Sequence, residues 1–266
     1  MLIDEFCDGW TEELDQRART LGRSCQLFLL VDGAFIAGLH KLIEADQKAL
    51  LFASLSGCNE LAIDASPFLT RYRPDRRQFR TLLERCNRWP MLSAIETPES
   101  LGDLATRLAA WCIVEADGLH FNLRFPDTRR LPAILATMTP QQRAAFAGPM
   151  QRWSYIGRDG HWSDLPLNGK DGEGIAESIL DEQQFANLVD DSGVDERLVL
   201  LRDRGHDVFS RPSRSYALLA TALRAARVGR LDDDDVLQWC EWFWKQDELH
   251  DDHATASLLQ SWQKES

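Results

Sequence analysis

Residues 119–153 read LHFNLRFPDTRRLPAILATMTPQQRAAFAGPMQRW, and three structural signals follow one another within them. Leu119, Phe121, Leu123 and Phe125 alternate with His120, Asn122 and Arg124, the period of a strand with one buried face. Asp117-Gly118 just before is a hairpin signal that joins this strand to the apolar segment 110–116. Downstream, Thr139 precedes Pro140 at a first helical position and Gln142 at the third, so the free amides of a helix start are satisfied locally. Gly148-Pro149 ends that helix. The stretch holds no nucleophile, metal cage or phosphate loop.

Working outward, 25–31 is a continuous apolar run that reads as a buried strand, 35–45 as a short amphipathic helix, and 49–53 and 68–72 as further strands. An arginine-rich helix is expected over 75–88 and a strand over 91–96, after which Thr97 is placed to cap a helix with Pro98 at its first position. Residues 153–162 read as a second hairpin turning on Asp159-Gly160. The segment 167–174, LNGKDGEG, is the best linker candidate, and everything beyond it reads as helix: 182–189, 195–204, 213–228, 233–246 and 251–264. The expected architecture is an α/β lobe over 1–165, a mixed sheet with helices that includes the Asp117-Gly118 hairpin, then a linker at 166–174 and an all-α lobe over 175–266.

The 266 residues are 44% apolar, enough to bury a substantial core in one large or two modest domains. The acidic start MLIDEFCDGW lacks a basic region followed by an apolar one, and no window holds eighteen uninterrupted apolar residues, so neither a secretion signal nor a membrane span is expected. Six scattered cysteines without a CxxC read as buried reduced thiols of a cytoplasmic protein. The net charge is −12, and residues 165–266 carry most of it, with 11 Lys+Arg against 21 Asp+Glu. Such a balance disfavours a general nucleic-acid-binding surface and suits attraction of a basic partner.

Candidate chemistry is sparse. His250 and His253 flank two aspartates and share a helical face, the most metal-like cluster present, and a metal-dependent hydrolase built on them is the rival enzyme class; no third strong ligand lies nearby, and acids at a helix start complement the macrodipole. Asp232 to Asp235 lack the spaced calcium-loop framework and read as a helix cap. Arg71, Arg73, Arg76, Arg77, Arg80, Arg85 and Arg88 form the one basic concentration. Arg76 and Arg80 on one face could contact RNA or an acidic protein, or dock on the acidic lobe of the same chain; an intramolecular or protein-facing role is favoured because no aromatic stacking motif accompanies them. Trp239, Trp242, Phe243 and Trp244 exceed what one helix face buries, which leaves an edge for partner contact. Arg124, Asp127 and Arg129 suit an arginine–carboxylate lock at the end of a strand.

The order of these landmarks resembles the type VI secretion effector adaptors, the Tap/TEC chaperones, catalogued as domain of unknown function 4123. Their pattern is an Asp-Gly hairpin, an F-R-F-x-D-P-R segment, a T-P-E-Q helix start and an F-G-P followed by an aromatic. This chain supplies Asp117-Gly118, Arg124 to Arg129, Thr139 to Gln142, Phe146 to Pro149, and Trp153. Upstream, 27–34 with Asp32-Gly33 resembles the family's opening strand and turn, and 51–69 its next landmark, so the resemblance covers 25–153. Pro126 stands where an aromatic is usual, and Thr128 where proline is usual. The resemblance implies an adaptor that needs no cofactor, nucleotide or metal, has no catalytic residues, and binds neither nucleic acid nor membrane. It implies as partners a secreted effector protein, held at an N-terminal segment, and the VgrG spike protein. Asp32, Gly33, Arg124, Asp127, Arg129, Gly148, Pro149 and Trp153 are its motif positions, structural or partner-binding.

Overall fold

The computed structural model describes residues 2–55, 57–167 and 177–265. All but residues 166 and 167 of the expected linker, 166–174, therefore lie outside the described residues. By their own packing, residues 5–188 form one compact unit, and the chain from Val189 onward forms another together with the residues up to Asp4.

The first unit is built on a six-stranded sheet in the order β2-β3-β1-β4-β7-β8, formed by β1 (Gln26–Val31), β2 (Lys48–Leu50), β3 (Phe68–Arg71), β4 (Leu92–Thr97), β7 (Arg152–Ile156) and β8 (Trp162–Asp164). Every ladder in it is antiparallel. From Leu27 to Val31 every β1 residue is buried, so its apolar run is continuous rather than alternating, as in any strand covered on both faces. Leu29 stands opposite Thr70 of β3 and Ala94 of β4. Since β3 and β4 both oppose β1, they run parallel to each other, joined across it by α3 (Arg77–Cys86).

The core on one side gathers Phe28, Leu30 and Ile95 from the sheet with Leu104, Leu108, Trp111, Phe125, Phe146 and Trp153. Each such side chain contributes about 1.5–3 kcal/mol when fully buried. Leu104 and Leu108 come from α4 (Leu101–Ala109), and Phe146 from α6 (Pro140–Ala147). α1 (Trp10–Thr20), α2 (Glu60–Asp64) and α5 (Leu131–Thr137) complete the unit, and none of the three is among the elements expected from the sequence.

Several expectations are corrected. No helix spans 35–45: the chain turns and makes short 3-10 segments at Leu39–Leu42 and Ala45–Gln47, with Gly38 left-handed at φ +73°. The Asp32 side chain accepts the Ala34 amide, competing with helix formation at its start. α4 is capped by Ser100, not Thr97, because Thr97 still belongs to β4 and its hydroxyl accepts the Glu99 amide instead. Asp117 and Gly118 both have positive φ, as the favoured two-residue hairpin turn requires, but β5 (Ile113–Ala116) and β6 (Leu119–Asn122) form a separate two-stranded sheet outside the main one. Leu119 is exposed there, whereas Leu123 and Phe125 enter the core beyond the end of the strand.

The second unit is helical: the part of α7 (Glu182–Asp203) from Val189 onward, α8 (Pro212–Gly229), α9 (Asp233–Gln246) and α10 (Asp252–Glu265). The helices expected at 182–189 and 195–204 are one, since Gly193 lowers helix propensity without ending the helix. Trp239, Phe243 and Cys240 of α9 pack against Leu218 and Ala222 of α8 and Leu259 of α10. The chain is thus an α/β unit followed by an all-α one. All six cysteines are free thiols, and four of them are buried.

Candidate functional site

β1 runs directly into the site. Its last ladder partner, Leu92, is extended by one more bond as the Asp32 amide donates to the Met91 carbonyl at 2.9 Å. The Asp32 carboxylate is 1% exposed. One of its oxygens accepts the Ala34 amide at 3.0 Å and the other accepts Arg124 Nη2 at 2.9 Å. Burial pushes the Asp32 carboxyl above its ordinary range, and Arg124 opposes that shift. Gly33 follows because nothing larger fits: a Cβ there would stand 2.3 Å from the Ser66 carbonyl oxygen.

Asp127, also buried, makes the second lock. Its Oδ1 accepts the Arg129 amide and Nε, each at 3.0 Å, and its Oδ2 accepts Arg129 Nη2 at 2.7 Å, a bidentate pair. The two arginines also share an aromatic neighbour. The Arg124 guanidinium lies 5.5 Å from the Phe35 ring centre and that of Arg129 5.7 Å, while Phe35 packs on Trp89. The Thr128 amide donates to the Pro90 carbonyl at 2.9 Å. The usual proline at that position of the resembled pattern could not make this bond. Four chain segments, 32–35, 65–67, 89–91 and 124–129, therefore meet at the end of β1. A pocket of about 110 Å³ lies beside them, lined by Asp32, Phe52, Cys112, Leu123, Arg124 and Pro126 among others.

The remaining motif residues lie elsewhere. Trp153 is in the core, stacked on Phe146 at 5.2 Å. Gly148 has φ +54°, and a Cβ on it would approach Arg107 Nε to 2.5 Å. Arg107 needs that space because it pairs with Glu99 through Nε at 2.8 Å and also donates to the Phe146 carbonyl. Pro149 is exposed beside it. Ser66 lies in the 51–69 landmark, whereas Phe35, Trp89, Glu99 and Arg107 are not singled out by the sequence. Of these only Phe35 has a local signal, its place just after the Asp32-Gly33 turn.

Outside the motif, Arg76 and Arg80 are exposed at the start of α3 and along it. Trp239 is a correction to the partner-facing ridge: it is wholly buried, with its indole N–H donated to the Ala222 carbonyl at 2.9 Å. Trp242 stacks on it and Trp244 packs on His206, both half-buried. At the His250 cluster, Asp251 accepts the Ala254 amide at 2.7 Å as the cap of α10, and His250 lies edge-on to Phe243. Among the described residues no group of three or more His, Cys, Asp or Glu is placed to hold a metal ion. Asp232 makes no side-chain cap at α9, so the acids there act on the helix only through charge. Among the described residues no helix is long and apolar enough to cross a membrane.

Residues 27–145 match the model of the family described as domain of unknown function DUF4123, a family associated with type VI secretion effector adaptors. The family indicated by the order of the motifs is thus the family matched. Comparison with curated proteins and with solved structures found no match.

Proposed function

We propose that the protein is a type VI secretion adaptor/chaperone that binds a cognate effector in the cytoplasm, at an N-terminal segment of that effector, and helps load it onto the VgrG spike. It acts by surface complementarity, without a cofactor and without making or breaking bonds. The observation that carries this reading is the family match over 27–145, the segment whose motif side chains meet at the end of β1. Their arrangement fits a scaffold: Asp127 is committed to Arg129, and Asp32 to Arg124 and the Ala34 amide. Such mutual pairing holds loops in one conformation for a partner to meet, which lowers the ordering cost of association.

Binding only the folded or the vulnerable form of an effector stabilises that form by mass action, about 2.7 kcal/mol at a hundredfold excess over Kd. Co-expression with the effectors encoded beside this gene is the test. One of them is expected to gain soluble yield and to co-purify with the full-length chain, and to pull down VgrG only when this chain is present. Failure with every neighbouring effector overturns the proposal.

A further inference from the structure

α3 buries Phe79, Leu82, Leu83 and Cys86 along one side, the spacing of a helix packed by a single face. Its charge lies on the other side. Arg71 ends β3, Arg73 follows it, Arg76 stands at the N-cap of α3, and Arg77, Arg80 and Arg85 lie along the helix; all six are exposed. Arg76 approaches neighbouring Asp75 at 4.0 Å. Among the described residues of this unit, the other five form no ion pair. Between residues 71 and 88 seven arginines face two acids, in a chain whose net charge is −12.

This placement works against α3 itself. The helix has no acidic residue in its first turn and no side-chain cap, and cations at an amino end oppose the macrodipole. α9 and α10 follow the opposite rule, α9 beginning with three aspartates and α10 capped by Asp251, whereas α5 and α8 share with α3 an arginine at the N-cap and no acid in the first turn. Folding stability does not favour a row of unpaired arginines here, whereas an anionic partner would.

We infer that the outer face of α3 is a docking surface for a short acidic segment of a partner polypeptide, an inference that rests on the adaptor reading and adds the chemistry of what is held. Arg77, Thr81 and Arg85 are spaced i, i+4, i+8 and form one ridge, with Arg73 and Arg76 at its amino end. The flank beyond Arg80 is unsuited, because the pocket of about 570 Å³ there has Glu12, Asp15 and Glu84 in its wall. The ten residues of α3 span about 15 Å, which about five extended residues cover. A nucleic-acid strand that runs past that length leaves the arginine row, and the chain's net charge of −12 opposes its phosphates.

The test uses the full-length chain, a fluorescein-labelled octapeptide rich in glutamate, and an eight-nucleotide oligouridylate of equal label. The peptide is expected to bind with an affinity that falls steeply with salt, and Arg77→Gln/Arg85→Gln to weaken it at least tenfold with an unchanged unfolding midpoint. Arg77→Glu/Arg85→Glu should abolish binding, and the glutamine pair stands alone if the reversal does not fold. No peptide binding at low salt, equal binding by the glutamine variant, or tighter binding of the oligouridylate overturns the inference. Effector capture separates the two claims. Capture undiminished in the glutamine variant removes this surface and keeps the adaptor, while no capture by the unaltered chain, with the peptide still bound, removes the adaptor and keeps the surface.

Discussion

The two units place their charged networks differently. In the sheet-bearing unit the carboxylates of Asp32 and Asp127 are buried, and each holds one arginine of the segment 124–129. In the helical unit the acids gather cations nearer the surface. Glu241 meets Arg204 at 2.7 Å, Lys245 at 2.8 Å and His206 at 3.0 Å, and Asp247 meets Arg211 and Arg214. Removing one member of a buried pair strands the other in a poor dielectric, whereas an exposed network exchanges protein partners for water. The first arrangement fixes a loop in one conformation; the second trims helix ends. Since both units have a dense aromatic centre, the contrast lies in how loops are held, and it coincides with where the family motif lies.

The largest expected effect is common to both units. Trp153→Ala and Trp239→Ala should each cost about 3–5 kcal/mol by urea denaturation, since both side chains are fully buried; an effect under about 1 kcal/mol at either would mean that the aromatic centre is not what supports that unit. The contrast itself is tested one step down. Arg129→Met leaves Asp127 buried without its bidentate partner and should cost about 3 kcal/mol, whereas Arg204→Met, whose guanidinium is half in solvent, should cost less than about 1 kcal/mol. Equal losses would erase the distinction between the two networks.

The smallest effect is in the pH dependence, and its sign differs between the units. Lys245, Arg204 and His206 hold the Glu241 carboxyl at about 2, below its usual 4.5. A depressed carboxyl stabilises the folded state above its unfolded value, and that contribution is lost as pH falls from about 4.5 to about 2. Burial raises the Asp32 carboxyl above 3.8. The folded state then binds its proton more tightly than the unfolded one, so stability declines as pH rises from 3.8 to the folded value. Urea midpoints measured against pH should lose the acid limb in Glu241→Gln and the opposite slope in Asp32→Asn. Parallel curves for both variants and the parent chain would refute the assignment.

Local physics made much of this legible in the sequence. Thr139, Pro140 and Gln142 form the expected capping box, because its two bonds join residues three apart. Asp117-Gly118 turns as expected because positive φ is a property of those two residues. The hairpin's sheet partner was not legible: nothing in 110–125 states that β4 pairs with β7 instead, Ile95 standing opposite Trp153. The helix expected over 35–45 failed for the same kind of reason. Its amphipathic spacing competes with an Asp32 carboxylate whose other partner, Arg124, lies ninety-two residues away.

The sequence by itself determined the division into a sheet-bearing part and a helical part, the apolar character of β1, the helix starts with bonds of short range, and the family that it resembles. Only the tertiary structure decided that Phe35 and Trp89 support the two arginines, that Gly33 must clear Ser66, that Gly148 must clear Arg107, and that Trp239 is core while the α3 arginines remain in solvent. Helix caps and tight turns are set by interactions within a few residues, so a linear string encodes them directly. Close approaches and ion pairs join residues far apart in sequence, and they exist only once the chain has closed on itself.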